Sequence, residues 1–335
     1  MLTRRNALAG AALITLAPTF ATSATPSLND RLTGNLSPVH DPCIIKQGDT
    51  YHLFTTSQVG EKPGLIHWRT SPDLVTWTLI GAVMPELPDW AQKAVPGTRG
   101  AWAPDISLID GRYHLYYALS TFGKNRSVIA LQTTATLDRA DPAFGWRDEG
   151  VVLASKTSDD FNAIDPNVIN TADGRCWMSF GSFWSGLKLV EIDPASGKPK
   201  PGATLTALAT RRRPGAIEAP YIIERKGWFY LFASFDFCCR GADSSYYTVV
   251  GRSKELAGPY VDRVGKPMLD DGGFIVLHAD LDPAKRFKGP GHVAILDDGG
   301  KDLIVYHAYD ARKAGAPTLR IQPLAWTDDG WPVAV

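Results

Sequence analysis

Trp102-Ala103-Pro104-Asp105-Ile106-Ser107-Leu108-Ile109-Asp110-Gly111-Arg112-Tyr113-His114-Leu115-Tyr116-Tyr117 is the stretch that decides the fold. A proline beside a polar residue opens an apolar run, an Asp-Gly turn follows, and an aromatic-rich run returns. Two such runs around a short glycine turn predict a β-hairpin. The same opening recurs at His40-Asp41-Pro42, Ile164-Asp165-Pro166, Ile217-Glu218-Ala219-Pro220 and Gly289-Pro290-Gly291-His292. Counted from Asp41, Asp105, Asp165, Glu218 and His292, the intervals are 64, 60, 53 and 74 residues. An acid or a histidine stands near the start of every unit.

Each opening leads to a hairpin whose second run is aromatic or apolar, such as Thr50–Thr55, Cys176–Phe180, Trp228–Phe232 and Leu303–His307. A third strand repeats at Gly64–Trp68, Ser127–Leu131, Leu187–Glu191 and Tyr247–Gly251. Helical periodicity is absent, and 24 prolines with 31 glycines disfavour it. Repeated small antiparallel sheets are the mark of a propeller. Five units predict an all-β, five-bladed β-propeller whose first strands line a central channel, with the active site there. A β-sandwich would scatter the five openings. Residues 28–335 contain no linker and read as a single domain, with Arg320–Trp326 as the strand that closes the ring with the N-terminal segment.

Residues 1–24 read as a signal peptide: Arg4-Arg5, an apolar run over Ala7–Ala17, and small residues at Ala21–Ala24. Thr3-Arg4-Arg5-Asn6-Ala7-Leu8 has twin-arginine character, with an ordinary export signal as the alternative. Eleven apolar residues are too few to span a bilayer. The chain is expected to be secreted or periplasmic. Its 35 basic and 35 acidic residues cancel, which argues against nucleic-acid and membrane partners. Nothing calls for a partner chain, so a monomer is expected. Arg211-Arg212-Arg213 reads as a solvated loop, or a patch steering an acidic polymer. Four cysteines make no disulfide scaffold, and without any Cys-x-x-Cys pair they make no zinc site. Cys43 and Cys176 read as buried thiols. Adjacent Cys238 and Cys239 form either a vicinal disulfide, which export favours, or free thiols.

Asp41, Asp165 and Glu218 each open a strand. Singly, each is an ordinary turn residue. Together at one channel mouth they form a glycosidase set: a raised carboxylic acid protonates the leaving oxygen, and an opposed carboxylate activates water or attacks the sugar. A third carboxylate raises the acid by like charge.

From His40 to Val335 the chain resembles the family 43 glycoside hydrolases, most closely their arabinan endo-1,5-α-L-arabinanases. The resemblance rests on His40-Asp41-Pro42, Trp102-Ala103-Pro104-Asp105, Ile164-Asp165-Pro166-Asn167, Gly181-Ser182-Phe183-Trp184 and Ile217-Glu218-Ala219-Pro220-Tyr221. It continues in Phe235–Gly241, Gly289-Pro290-Gly291-His292 and Val305–Asp310. It implies a five-bladed propeller acting by inversion on arabinan, a pectin side chain. It also implies roles: Asp41 as general base, Glu218 as general acid, and Asp165 as modulator of Glu218. Inversion requires acid and base roughly 6.5–9.5 Å apart. The resemblance further implies a calcium ion on the propeller axis at His292, with His307 as second candidate ligand or a core residue. Calcium prefers 6–8 oxygen ligands, so one histidine would hold it loosely.

By the same resemblance Trp102 and Phe122 line the substrate groove. His40, Asn167 and Ser182 would bind sugar hydroxyls, with Trp184 a further candidate. Asp105 reads as structural. The alternatives on the same fold are an exo-acting arabinanase, an α-L-arabinofuranosidase or a β-xylosidase, with loops around 85–99 and 274–288 deciding whether the groove is blocked. A non-catalytic sugar-binding propeller is the alternative of another class, but it gives no reason for three carboxylates.

Overall fold

The computed structural model describes residues 26–335, and the signal peptide assigned to residues 1–24 lies outside them. Five antiparallel sheets follow one another along the chain. Their first strands are Cys43–Gln47, Gly100–Ile109, Asn167–Asn170, Ile217–Arg225 and Phe287–Asp297. Each of these strands touches its neighbours in the series and the last touches the first, which closes a ring around an axis. The expected five-bladed propeller is what forms.

Five apolar clusters fill the five gaps between adjacent blades. Phe54, Trp68 and Leu115 join blades 1 and 2. Tyr116, Met178 and Phe180 join blades 2 and 3. Leu189 and Leu231 join blades 3 and 4, Phe232 and Ile304 join blades 4 and 5, and Leu53 and Leu319 join blades 5 and 1. Both faces of every sheet are therefore buried, which is why the strands read as near-continuous apolar runs.

Arg320–Trp326 does meet the N-terminal segment as expected, with Ile321 N donating to Asn29 Oδ1 at 2.8 Å and Asn29 Nδ2 to Gln322 Oε1 at 2.8 Å, but not as strands of one shared sheet. Arg320–Trp326 lies within Ala316–Trp326, the third strand of a blade 5 complete in itself. The N-terminal segment instead adds Thr33–Gly34 to the outer edge of blade 1. It then crosses blade 5, where Leu319 N donates to Leu36 O at 2.9 Å and Val39 N donates to Pro317 O at 3.0 Å.

Every inner strand carries the same one-residue bulge. Trp102 faces Ala118 and Asp105 faces Tyr116. Glu218 faces Ser234 and Tyr221 faces Phe232. Gly291 faces His307 and Ala294 faces Val305. In blade 1, Thr56 N donates to His40 O and Cys43 faces Phe54; in blade 3, Gly181 N donates to Ile164 O and Asn167 faces Ser179. The second residue of each bulge is left-handed: Asp41, Ala103, Asp165, Ala219 and His292, with φ between 43° and 56°. Non-glycine residues seldom adopt this conformation, and bulges re-aim side chains beside active sites.

This corrects the repeat register. Asp41, Asp165 and His292 share one structural position, where the other two blades have alanine. Glu218 stands one residue earlier and Asp105 two residues later. The common mark is the left-handed residue, followed by proline in four blades, and not the ionisable group.

Candidate active site

Strands alternate in direction within each blade, so the starts of the inner strands share a face with the loops between second and third strands. That face gathers Asp41, Asp165, Glu218 and His292 with the loops 120–126, 181–186 and 236–246.

Asp41 is buried and surrounded by donors. His40 Nδ1 lies 2.8 Å and His292 Nδ1 3.0 Å from Oδ1. Thr56 Oγ1 donates to Oδ2 at 2.6 Å. The Asp41 N–H donates to His307 Nδ1 at 3.1 Å. Burial alone would raise this carboxyl, but the imidazoles of His40 and His292 outweigh it and hold Asp41 well below the usual range. His292 answers in kind: burial lowers it, and Asp41 then raises it to about 9.

Glu218 has the opposite surroundings. Ser182 Oγ donates to Oε2 at 2.8 Å, and the nearby Tyr246 hydroxyl also favours the charged form. Burial nevertheless pushes Glu218 up. Gly291 makes room for Tyr246, because a Cβ there would stand 2.3 Å from its ring. Asp165 is buried, accepts from Ala219 N at 3.1 Å, and is raised well above the usual range by burial and by the charges of Glu218 and Asp41. Both Asp165 and Glu218 are thus raised, Asp165 partly by the Glu218 charge. One mouth thus holds one carboxyl pushed down and two pushed up, the pattern that separates a base from an acid.

The remaining candidates divide. His40 and Ser182 sit at the mouth but are occupied by Asp41 and Glu218. Asn167 does not present itself to a sugar: its amide N donates to Asp105 Oδ1 at 3.3 Å and its oxygen accepts from Ile222 N at 2.8 Å. It ties blades 2, 3 and 4 together. Asp105 is buried, accepts from Val168 N at 2.9 Å and is raised by burial to about 6, in keeping with a structural role. Trp102 is half-buried at the first position of the blade 2 bulge. Phe122 is 81% exposed at a loop tip and Trp184 is 43% exposed beside Ser182, positions from which rings can meet sugar faces.

The metal expectation at His292 does not fit the donors. Calcium takes 6–8 oxygens, whereas His292 brings one imidazole whose Nδ1 faces Asp41. Among the described residues, the clusters with ligand spacing are His40/Cys238/Cys239 and His40/Asp41/His307, and neither includes His292. His307 is fully buried, with its Nδ1 accepting from the Asp41 N–H, as a core position requires.

Cys238 and Cys239 are disulfide-bonded, and Cys43 and Cys176 are buried free thiols. The arginine run is not simply solvated. Arg211 pairs with Asp236 and lies over the Phe235 ring at 4.6 Å, while Arg212 pairs with Asp270 at 2.9 Å. Thr56, Ser234, Tyr246 and Tyr309 were not singled out from the sequence. Thr56, Ser234 and His307 hold equivalent places on second strands, each bonding the bulge N–H of the next blade: Ala103, His292 and Asp41. Their position at the end of each aromatic run is the signal that could have found them.

Residues 37–332 match the family model described as glycosyl hydrolases family 43. An extracellular exo-α-(1→5)-L-arabinofuranosidase of Cellvibrio japonicus is 39% identical over 306 residues, covering 88% of this chain and 85% of that protein. An extracellular endo-α-(1→5)-L-arabinanase of Bacillus subtilis is also 39% identical, over 295 residues, covering 88% and 87%. The structure of a Cellvibrio cellulosa α-L-arabinanase complexed with arabinohexaose superposes with a TM-score of 0.83 at 38% identity, covering 90% and 96%.

Proposed function

The chain belongs to family 43 of the glycosyl hydrolases, and from that premise we propose that it cleaves α-1,5-L-arabinofuranosidic linkages within arabinan, with inversion. The carrying observation is the opposite surroundings of three carboxyls at one mouth: His40, His292 and Thr56 gather on Asp41 and the imidazoles push it down, while burial pushes Asp165 and Glu218 up. Asp41 takes a proton from water as the water oxygen attacks the anomeric carbon. Glu218 gives its proton to the departing glycosidic oxygen as the C–O bond breaks. Asp165, itself raised in part by the Glu218 charge, modulates Glu218, and Ser182 orients it. Solvent then deprotonates Asp41 and reprotonates Glu218. No step runs through a calcium ion.

Phe122 and Trp184 supply platforms for furanose rings, with Trp102, half-buried at the start of its bulge, as a third candidate. The endo reading draws support from the two loops that could block the groove. Trp90 is bonded to Asp148 on the outer strand of blade 2 at 2.8 Å, and Arg286 to Asp310 of blade 5 at 2.8 and 2.5 Å. The second stretch is not all loop: Phe274–Leu277 is the outer strand of blade 4, and only the remainder is tied to blade 5 through Arg286. The enzyme is proposed to act as a monomer outside the cytoplasm, exported by its N-terminal segment.

A time course on linear α-1,5-arabinan tests this. Mixed oligomers should appear first and vanish in Glu218→Gln. Monomer or one fixed oligomer from the start would replace the endo reading with the exo one, which a relative of equal identity represents. Binding without cleavage would overturn the enzyme mechanism.

A further inference from the structure

The Cys238–Cys239 loop meets the site through one chain of hydrogen bonds. The Cys239 N–H donates to the Tyr309 hydroxyl oxygen at 2.8 Å. That hydroxyl lies 2.6 Å from His40 Nε2, and His40 Nδ1 lies 2.8 Å from Asp41 Oδ1. The backbone N–H can only donate, so Tyr309 accepts there, which leaves its own proton free for His40 Nε2, while the Asp41 carboxylate can only accept from Nδ1. His40 then carries its hydrogen on Nδ1, aimed at Asp41. Burial pushes the Tyr309 phenol up, so it keeps the proton it donates. The His40 ring is stacked on His307 at 3.9 Å, which fixes its plane. Cys239 is left-handed at φ 66°, and its Sγ stands 3.8 Å from His40 Nε2.

We propose that the Cys238–Cys239 disulfide loop is a positioning element for the general base, acting through Tyr309 and His40 on Asp41. The bonded pair holds the Cys239 N–H in one direction, that N–H sets the Tyr309 proton, and Tyr309 sets the tautomer of His40. Cys239 and Tyr309 do not touch the reacting groups, and His40 meets only the carboxylate of the base. Asp41 is also faced by His292, His307 and Thr56, with Asp165 and Glu218 across the mouth, so loss of the chain weakens the base without removing it. The inference rests on Asp41 as base.

The test uses the whole secreted enzyme and linear α-1,5-arabinan. Tyr309→Phe removes the hydroxyl and leaves the ring. A neutral hydrogen bond of ordinary strength corresponds to a kcat about five- to tenfold lower. KM should stay within about twofold by the same argument, because no sugar contact is lost. The acid limb of the pH profile should move up, because one donor to the base is misaligned. Treating the wild type with a dithiol delivers two electrons and two protons to the disulfide, giving two thiols and the oxidised dithiol. It should reproduce the Tyr309→Phe profile, and reoxidation should restore the original. Cys43 and Cys176 are already free thiols, so the reductant has no other target. Because reduction acts on folded enzyme, it stands in for Cys238→Ser/Cys239→Ser should that variant not fold. An unchanged kcat and acid limb in Tyr309→Phe would overturn the chain, as would a rise in KM alone. An effect of Tyr309→Phe with none from reduction would overturn the role of the disulfide. Full activity of Asp41→Asn would instead overturn the base assignment beneath both.

Discussion

Asp41 and Asp165 are the same residue at the same place in two blades. Both are left-handed, both precede a proline, and both are buried at the channel mouth. Yet one is held well below the usual carboxylate range and the other well above it. The difference lies in what their neighbours bring. Asp41 has His40 ahead of it in its own blade and His292 from blade 5, both aimed at Oδ1. Asp165 has isoleucine where His40 would be, and faces Glu218. Equivalent backbone thus sets where a carboxyl points, while the side chains of adjoining blades set whether it carries charge. An ancestral repeat can in this way supply a base in one blade and a proton-sharing acid in another.

The largest effects come from removing either end of that contrast. Asp41→Asn and Glu218→Gln should each lower kcat by about 100- to 10,000-fold, read as initial rates of reducing-end release. Retention of activity in either would break the assignment.

Asp165→Asn sharpens the comparison, because it makes one of the two aspartates permanently neutral. Removing the like charge should lower Glu218, so the alkaline limb of activity moves down by about one unit, a tenfold loss on that side. Stability should move the other way. The folded-state value of Asp165 is raised, so the folded protein keeps a proton that the unfolded chain releases. Its stability therefore falls as pH rises from the ordinary aspartate value through the raised one. Asparagine has no such slope. Its melting temperature should exceed wild type by about 2 °C or more at neutral pH, and the gap should close toward pH 4. A variant less stable at pH 7 than at pH 4, relative to wild type, contradicts the raised state.

Asn167→Ala should have the smallest effect on the reaction. It strips partners from Ile222 N–H and Asp105 and should cost about 1–3 kcal/mol in denaturant unfolding, with kcat and KM unchanged. A rise in KM at unchanged stability would restore Asn167 to the sugar.

Much of this was legible in the chain. Proline-opened runs and glycine turns announced five hairpins, and the ordered acids announced Asp41, Asp165 and Glu218. What the chain hid was register. Matching by charge set Asp105 and Glu218 level with Asp41, whereas the bulge is a backbone feature marked by the left-handed residue. Asn167 follows a catalytic-looking Asp-Pro and resembles a sugar contact, but its amide is claimed by backbone 55 residues away. Tyr246 and Tyr309 matter through contacts that no local pattern encodes, and Arg211 looked solvated because Asp236 and Phe235 meet it only in three dimensions.

The central claim is that His40 and His292 push Asp41 down while burial pushes Asp165 and Glu218 up. The pH dependence of kcat/KM on linear α-1,5-arabinan, wild type beside His292→Gln, tests it most directly. The account predicts a bell whose acid limb lies below the ordinary aspartate value of 3.8, and an upward shift of that limb in the variant. An acid limb at or above 3.8 in the wild type, or one that His292→Gln leaves in place, would contradict it.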